Sequence, residues 1–107
     1  MPSIRLSNQA AGTSNALDGL PFQDLPEGGA LVSIYGSSAT AGGLLSYSVG
    51  TERYMVDAYV NTESAADVVD TNRDMILDRE PVPGGKQFLS VDTQICNVLL
   101  VIEDLPS

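Results

Sequence analysis

Hydrophobic and polar residues alternate in several short segments of the chain, most clearly at residues 44–49 and 53–61. A period of two places successive side chains on opposite faces of a β-strand. Because only Gly50, Thr51 and Glu52 separate the two segments, they predict a β-hairpin. In its second strand, one face is expected to hold Tyr54, Val56, Ala58 and Val60, and the other Met55, Asp57 and Tyr59.

The same pattern predicts further strands at residues 3–9, 30–35, 74–79, 86–92 and 95–103. In the strand at 74–79, Met75 and Leu77 are expected to lie opposite Ile76. Turn residues separate the strands at intervals of about 8 to 12 residues, and no segment predicts a helix of three turns. About seven strands at this spacing indicate an all-β fold, either an antiparallel β-sandwich or a small barrel.

The connecting segments predict loops of different kinds. Residues 10–29 form a long turn-rich loop, with one short strand inside it, that is expected to contact a neighbouring molecule. Four of its side chains are expected to anchor it to the core: Leu17, Leu20, Phe22 and Leu25. Residues 36–43 predict a flexible turn, and residues 62–73 fit either a surface loop or one helical turn capped by Thr62. Pro81 and Pro83 are expected to end the strand at 74–79.

The last predicted strand is hydrophobic on both faces, because Val98, Leu100 and Ile102 alternate with Leu99 and Val101. Two explanations fit such a strand. It lies at the centre of a sheet that is covered on both sides, or it is buried at a subunit interface.

The length of 107 residues predicts a single domain spanning residues 1–107. Fourteen acidic residues against five basic ones give a formal charge of −9. Such a surface repels nucleic acid and anionic membranes, so we expect contact with neither. The N-terminal sequence lacks the apolar segment of a signal peptide, and no segment approaches the length of about 20 apolar residues that spans a bilayer.

Candidate catalytic residues are few. The chain has no histidine, which removes Ser–His and Cys–His nucleophiles and the commonest zinc ligand. Its one cysteine, Cys96, lies in an apolar segment and is expected to be buried and inert. A carboxylate pair remains as an option, with Asp57 in mid-strand as the residue that could face a cleft. We therefore expect a protein that is not an enzyme, with no catalytic residue and no cofactor.

A weak candidate for a calcium site is the segment with Asp70, Asn72 and Asp74, whose oxygen ligands alternate as at the start of a calcium-binding loop. The later positions do not match, because Met75 stands where glycine is needed and Pro81 where glutamate is needed. The alternative is an acidic turn in which Asp70 or Asn72 bonds to its own backbone.

The hydrophobic strand at 95–103 and the low share of charged residues favour assembly with other subunits. Only 18% of the residues are charged, and charged residues are depleted from interface cores. Tyr54 and Tyr59 are expected on opposite faces, so one of them should face outward or into an interface.

The runs GGALVSIYGSSATAGGLLSYSVGTERYMVDAYVN and DREPVPGGKQFLSVDTQICNVLLVIEDLP resemble small virion proteins of bacteriophages in their style and strand order. The resemblance implies a jelly-roll-like sandwich that forms a capsid or decoration subunit of a virion. It also implies homo-oligomeric contacts with copies of itself or with other capsid subunits, and no cofactor. The negative charge favours an outer or decorating position over a surface that lines packaged DNA.

The alternative function is a small ligand- or carbohydrate-binding β-sandwich module. It would use exposed aromatic side chains, with or without Ca²⁺ at residues 70–74. The absence of tryptophan counts against it, because sugar-binding faces favour large aromatic rings.

Overall fold

Two β-sheets packed face to face make up the computed structural model, which describes residues 3–20, 23–66 and 68–103. Within these ranges the strands are β1 (Ser3–Gln9), β2 (Asp24–Leu25), β3 (Ala30–Ser38), β4 (Leu44–Val49), β5 (Glu52–Tyr59), β6 (Asn61–Thr62), β7 (Met75–Val82), β8 (Gly85–Asp92) and β9 (Cys96–Glu103). No helix occurs among the described residues. The predicted all-β sandwich is confirmed.

Strand pairing is nested along the chain. The hairpin of β4 and β5 lies innermost, and around it β3 pairs with β7, β2 with β8, and β1 with β9, all antiparallel. The first sheet has the order β1-β9-β3, with β7 and the parallel strand β6 both pairing with β3. The second sheet has the order β2-β8-β4-β5. The predicted hairpin is therefore confirmed.

The core lies between the two sheets and comes from alternate positions of their central strands. The side chains that are at most 1% exposed include Val32 and Ile34 of β3, Val98 and Leu100 of β9, Leu45 and Tyr47 of β4, and Leu89 and Val91 of β8. Burial stabilises the fold by about 1.5–3 kcal/mol for each such aliphatic side chain. The Tyr47 hydroxyl donates to Oε1 of Gln87 inside this core, so both polar groups are satisfied away from water.

β9 lies between β1 and β3, so both of its edges are paired within a single chain. On the face away from the core, Leu99 is only 7% exposed and Asn97 3%. The segment between β6 and β7 folds over one end of this face, where Asn97 donates to Glu63. The central position of β9 is therefore confirmed, and Leu99 on its outer face is buried within the single chain, whereas Val101 on the same face is half-buried.

Bulges in the edge strands β5 and β7 change which of their side chains share a face, so part of the prediction for residues 53–61 and 74–79 is wrong. β5 has two register shifts against β4, and β7 has two against β3. Each extra residue reverses the face of the residues that follow. In β5 the shifts bury Met55 and leave Val56 58% exposed, so Val56 does not share a face with Tyr54 and Ala58, which pack against the core. In β7, Ile76 and Leu77 both pack against the core while Met75 is exposed.

Side chains on neighbouring strands hold three of the bulges. The bulge residues Asn8, Asp57 and Arg79 have left-handed backbone angles, with φ of 53°, 50° and 43°. The amide of each donates to a side-chain oxygen at 2.9–3.1 Å: Asn8 to Asn97, Asp57 to Ser46, and Arg79 to Ser33. An extra strand residue has no partner in the ladder, so these bonds satisfy its N–H group.

The long loop closes the outer edge of β8. The amides of Gly12 and Ala16 donate to carbonyls of β8 at 2.9 and 2.7 Å, and β2 pairs with the start of the same strand. Leu17 and Leu25 are buried as predicted and Leu20 packs against the core, whereas Phe22 lies outside the described residues. The loop therefore has a role within the chain, and its predicted contact with a neighbour stays a prediction.

Two predicted boundaries are wrong. β3 continues through Ser38, because Ser37 and Ser38 pair with both β9 and β6 and are not a flexible turn. β7 continues through Pro81, because an edge strand tolerates a residue that lacks an N–H group. Thr62 lies in β6 and caps no helical turn, which leaves the surface-loop alternative for the described residues that follow.

Candidate functional site

Residues 70–74 form a hydrogen-bonded turn beside the first sheet. Oδ1 of Asp70 accepts from the Asn72 amide at 2.9 Å, and Oδ2 of Asp74 accepts from the Asp70 amide at 2.7 Å. Oδ1 of Asp74, which is 1% exposed, accepts from Nδ2 of Asn61 at 3.2 Å and lies 3.4 Å from Nε of Arg73. These carboxylate oxygens therefore bind donors of the chain itself.

This geometry favours the acidic turn over the calcium site. Asp70 and Asp74 lie together, but Asn72 contributes its backbone N–H, which cannot bind a cation. No group of three or more His, Cys, Asp or Glu residues that could hold a metal ion occurs in residues 3–20, 23–66 and 68–103. The segment is explained as a capped turn that anchors the chain before β7.

Cys96 lies in the core cluster at 0% exposure. Burial raises the pKa of its thiol, which keeps the sulfur protonated and a poor nucleophile. The predicted burial of this residue is confirmed.

A shallow groove of about 360 Å³ crosses the outward face of the second sheet. We call it the outer groove and define it by six side chains that line it: Ser46, Ser48, Arg53, Asp57, Phe88 and Ser90. The strand register arranges them in two rows. Ser48 of β4 pairs with both Arg53 and Phe88, and Ser46 pairs with Ser90 and lies opposite the bulge at Asp57. The rows lie two residues apart along β4, which is about 7 Å.

Hydrogen-bonding capacity in the outer groove is largely unused. Arg53 and Asp57 make no ion pair with any described residue, since the ion pairs found involve Arg73 and Arg79. Nζ of Lys86 lies 5.5 Å from the ring centre of Phe88, so a second cation borders the groove. Asp57 does face a groove, as the sequence suggested. No other described carboxylate lines that groove, so the second acid that a carboxylate pair needs is not present there among the described residues.

One end of the sandwich, which we call the loop end, consists of residues 39–43, 61–66 and 93–95. The Val60 amide donates to the Gly43 carbonyl and the Glu63 amide to the Ser38 carbonyl, which brings these segments together. Within these segments the only charged residue is Glu63, whose carboxylate accepts from Asn97. Two charged residues border them, Arg73, which donates to the Thr62 carbonyl, and Asp92, which accepts from the Thr93 amide. Two large side chains are exposed here, Ile95 within the loop end at 53% and Tyr59 beside it at 77% exposure.

The two tyrosines of β5 differ in environment, as their spacing predicted. Tyr54 packs against the core with its ring centre 6.2 Å from that of Tyr47, whereas Tyr59 points outward. The sequence did not predict the outer groove, because the bulges that turn Val56 and Asp57 outward leave the alternating pattern intact. The available signal was an aspartate in mid-strand, a residue type that tolerates positive φ.

No protein-family model matches the chain, and neither a curated protein nor a solved structure matches it. The described part of the chain contains no helix with the length and hydrophobicity that a membrane span requires. The loop end and the outer groove are therefore the two surfaces of the chain from which a function can be proposed.

Proposed function

We propose that this chain is a non-enzymatic structural subunit that assembles with copies of itself, as a capsid or decoration protein of a virus-like particle. The observation that carries the proposal is the composition of the loop end. In a protein with a net charge of −9, residues 39–43, 61–66 and 93–95 contain a single charge, Ile95 among them and Tyr59 beside them are exposed, and the charged residues Arg73 and Asp92 stand at the border. Few charges within the surface, large apolar side chains and charged residues at the border are the composition of an interface with an apolar core and a polar rim.

The nested strand pairing supports the finer description of the fold as a jelly roll. Apart from the two-residue strand β6, the sheets have the orders β1-β9-β3-β7 and β2-β8-β4-β5. Eight strands that fold in this way correspond to two Greek keys in a double sheet, an architecture found in viral capsid domains and in lectins. The fold alone does not assign the function, so it adds support only beside the loop end.

The charge distribution supports an outer position in the particle. With 14 acidic residues and 5 basic ones, a surface made of this chain would repel packaged DNA. Localisation in the virion, on its outer side, is therefore part of the proposal.

Sedimentation velocity of the purified chain over a wide concentration range tests the proposal. We expect an oligomer that dissociates on dilution, and we expect Tyr59→Ser with Ile95→Ser to weaken it by at least about tenfold in Kd. Val56→Ser is the matched control, because Val56 is also exposed (58%) but lies in mid-strand, away from the loop end.

Two outcomes contradict the proposal. A chain that stays monomeric at every concentration does not assemble with itself. An oligomer that Val56→Ser weakens as much as the double variant does uses another surface.

A further inference from the structure

We propose that the outer groove binds a neutral saccharide, a function that goes beyond assembly and does not depend on it. The groove combines the three kinds of group that recognise a sugar ring. They are hydroxyls, a free acceptor and donor of opposite charge, and an exposed aromatic face.

The hydroxyl groups line the middle of the groove. Ser46, Ser48 and Ser90 project from the outward positions of β4 and β8, opposite the buried core positions. Ser46 Oγ accepts from the Asp57 amide at 2.9 Å, which leaves its own proton free to be donated. Adjacent strands are about 4.8 Å apart, so Ser46 and Ser90 can bond to different oxygen atoms of one sugar ring.

The charged groups stand on one side. Arg53 and Asp57 belong to β5, in successive rows, and neither makes an ion pair with a described residue. A carboxylate accepts from two hydroxyl groups, and a guanidinium donates to two oxygen atoms. Arg53 and Asp57 cancel in charge, and Lys86 beside Phe88 adds one cation at the edge of the groove, so the preference for a neutral ligand over an acidic sugar comes from the net charge of −9 of the chain.

The aromatic ring stands on the other side. Phe88 is 36% exposed although it belongs to a central strand, and Nζ of Lys86 lies 5.5 Å from its ring centre. The C–H face of a sugar ring packs against such a ring, while the sugar hydroxyls turn toward the serines. The volume of about 360 Å³ lies within the range of small-molecule sites.

The bulge at Asp57 supports a binding role for this face. Asp57 has φ of 50°, a conformation that L-residues adopt at a cost, and the bulge turns its side chain out of the regular alternation. Bulges of this kind re-aim side chains next to functional sites.

The test is an amide chemical-shift titration of the full chain with cellobiose, maltose, lactose and N,N′-diacetylchitobiose. We expect at least one of these probes to cause saturable shifts at the outward residues of β4, β5 and β8. Phe88→Ala should weaken that binding by about tenfold, through loss of the stacking surface. Asp57→Asn should weaken it too while keeping the bulge, because asparagine also tolerates positive φ. Tyr59→Ala, another exposed aromatic but outside the groove, is the matched control.

Several outcomes would overturn the inference. They are the absence of saturable shifts for all four sugars at tens of millimolar, shifts that map to the loop end, or unchanged affinity in Phe88→Ala with native amide dispersion. Sedimentation in the same buffers separates this result from the assembly proposal. A monomer that binds sugar contradicts assembly alone, and an oligomer that binds none contradicts the saccharide site alone.

Discussion

The serine hydroxyls that accept hydrogen bonds from the amides of bulge residues should contribute measurably to the free energy of unfolding, and Ser33 should contribute most. It is 3% exposed, and its Oγ accepts from the Arg79 amide at 3.1 Å. Ser33→Ala removes that bond and leaves a partly buried N–H without a partner, in a bulge that has no ladder bond to replace it. The lost bond and the unsatisfied group together cost about 1–2 kcal/mol.

The expected change in melting temperature follows from the size of the chain. An unfolding entropy of about 2.1 cal/mol/K per residue gives roughly 0.22 kcal/mol/K for 107 residues. A loss of about 1.5 kcal/mol therefore lowers the Tm by about 7 °C, measured by calorimetry at neutral pH.

Two further serines serve as graded controls in the second sheet. Ser46 accepts from the Asp57 amide, but this bond is exposed and water can replace it, so Ser46→Ala should cost only about 0.5 kcal/mol. Ser48 faces the same way on β4 but has no bulge amide as partner, so Ser48→Ala should leave the Tm within about 2 °C of the natural sequence. If Ser33→Ala melts at the same temperature as Ser48→Ala, the side chains do not hold the bulges and the reasoning is wrong.

Three other predictions follow from buried groups. Asp74→Ala should lower the free energy of unfolding by about 2–3 kcal/mol in urea, because two hydrogen bonds to the buried carboxylate are lost. Millimolar Ca²⁺ should leave the Tm of the natural sequence unchanged, and a calcium-dependent rise in Tm would show that this turn binds calcium. Gly36→Ala should lower the stability by about 1–3 kcal/mol, because its Cβ would meet three core side chains at 2.8–3.0 Å. Gly28→Ala is the control, because its Cβ meets nothing within 4 Å and the change should be neutral or slightly stabilising. Equal melting temperatures of the two variants would contradict this. Burial and, to a lesser extent, Tyr54 raise the pKa of Tyr47. Above about pH 10 the unfolded chain therefore releases a proton that the folded chain retains. The stability of the fold then falls with rising pH, by up to about 1.4 kcal/mol per pH unit from this group. Urea midpoints should show a shallower alkaline decline in Tyr47→Phe, and an equal decline would contradict the prediction.

The regular parts of the fold could be predicted from sequence because a period of two is a local property. β1 and β4 begin and end where alternation predicted them, and the hairpin of β4 and β5 follows from three turn residues. β8 and β9 were also predicted as strands, but β9 is hydrophobic on both faces, so its sequence does not show which face meets the core.

The bulges and the covered outer face could not be predicted in this way, because both depend on residues distant in sequence. Ser33 looks like an ordinary outward serine until Arg79, 46 residues later, places its amide against it. Asp57 was of interest as a cleft carboxylate, and its position also reflects the tolerance of aspartate for positive φ. The hydrophobic outer face of β9 suggested a subunit interface because the sequence does not show that the segment before β7 returns to cover one end of it.

The edge strands of the two sheets constrain how copies of this chain could associate. An exposed regular edge strand invites pairing with another chain through main-chain hydrogen bonds. Here β5 and β7 each carry two bulges, β7 also contains Pro81, and β1 is bulged at Asn8. β2 and β6 are only two residues long, and residues 12–16 occupy part of the outer edge of β8. An oligomer of this protein should therefore be held by side chains that pack across the loop end. Hydrogen exchange should then show no new amide protection along β1 on assembly, and strong protection there would place the contact at the sheet edge instead.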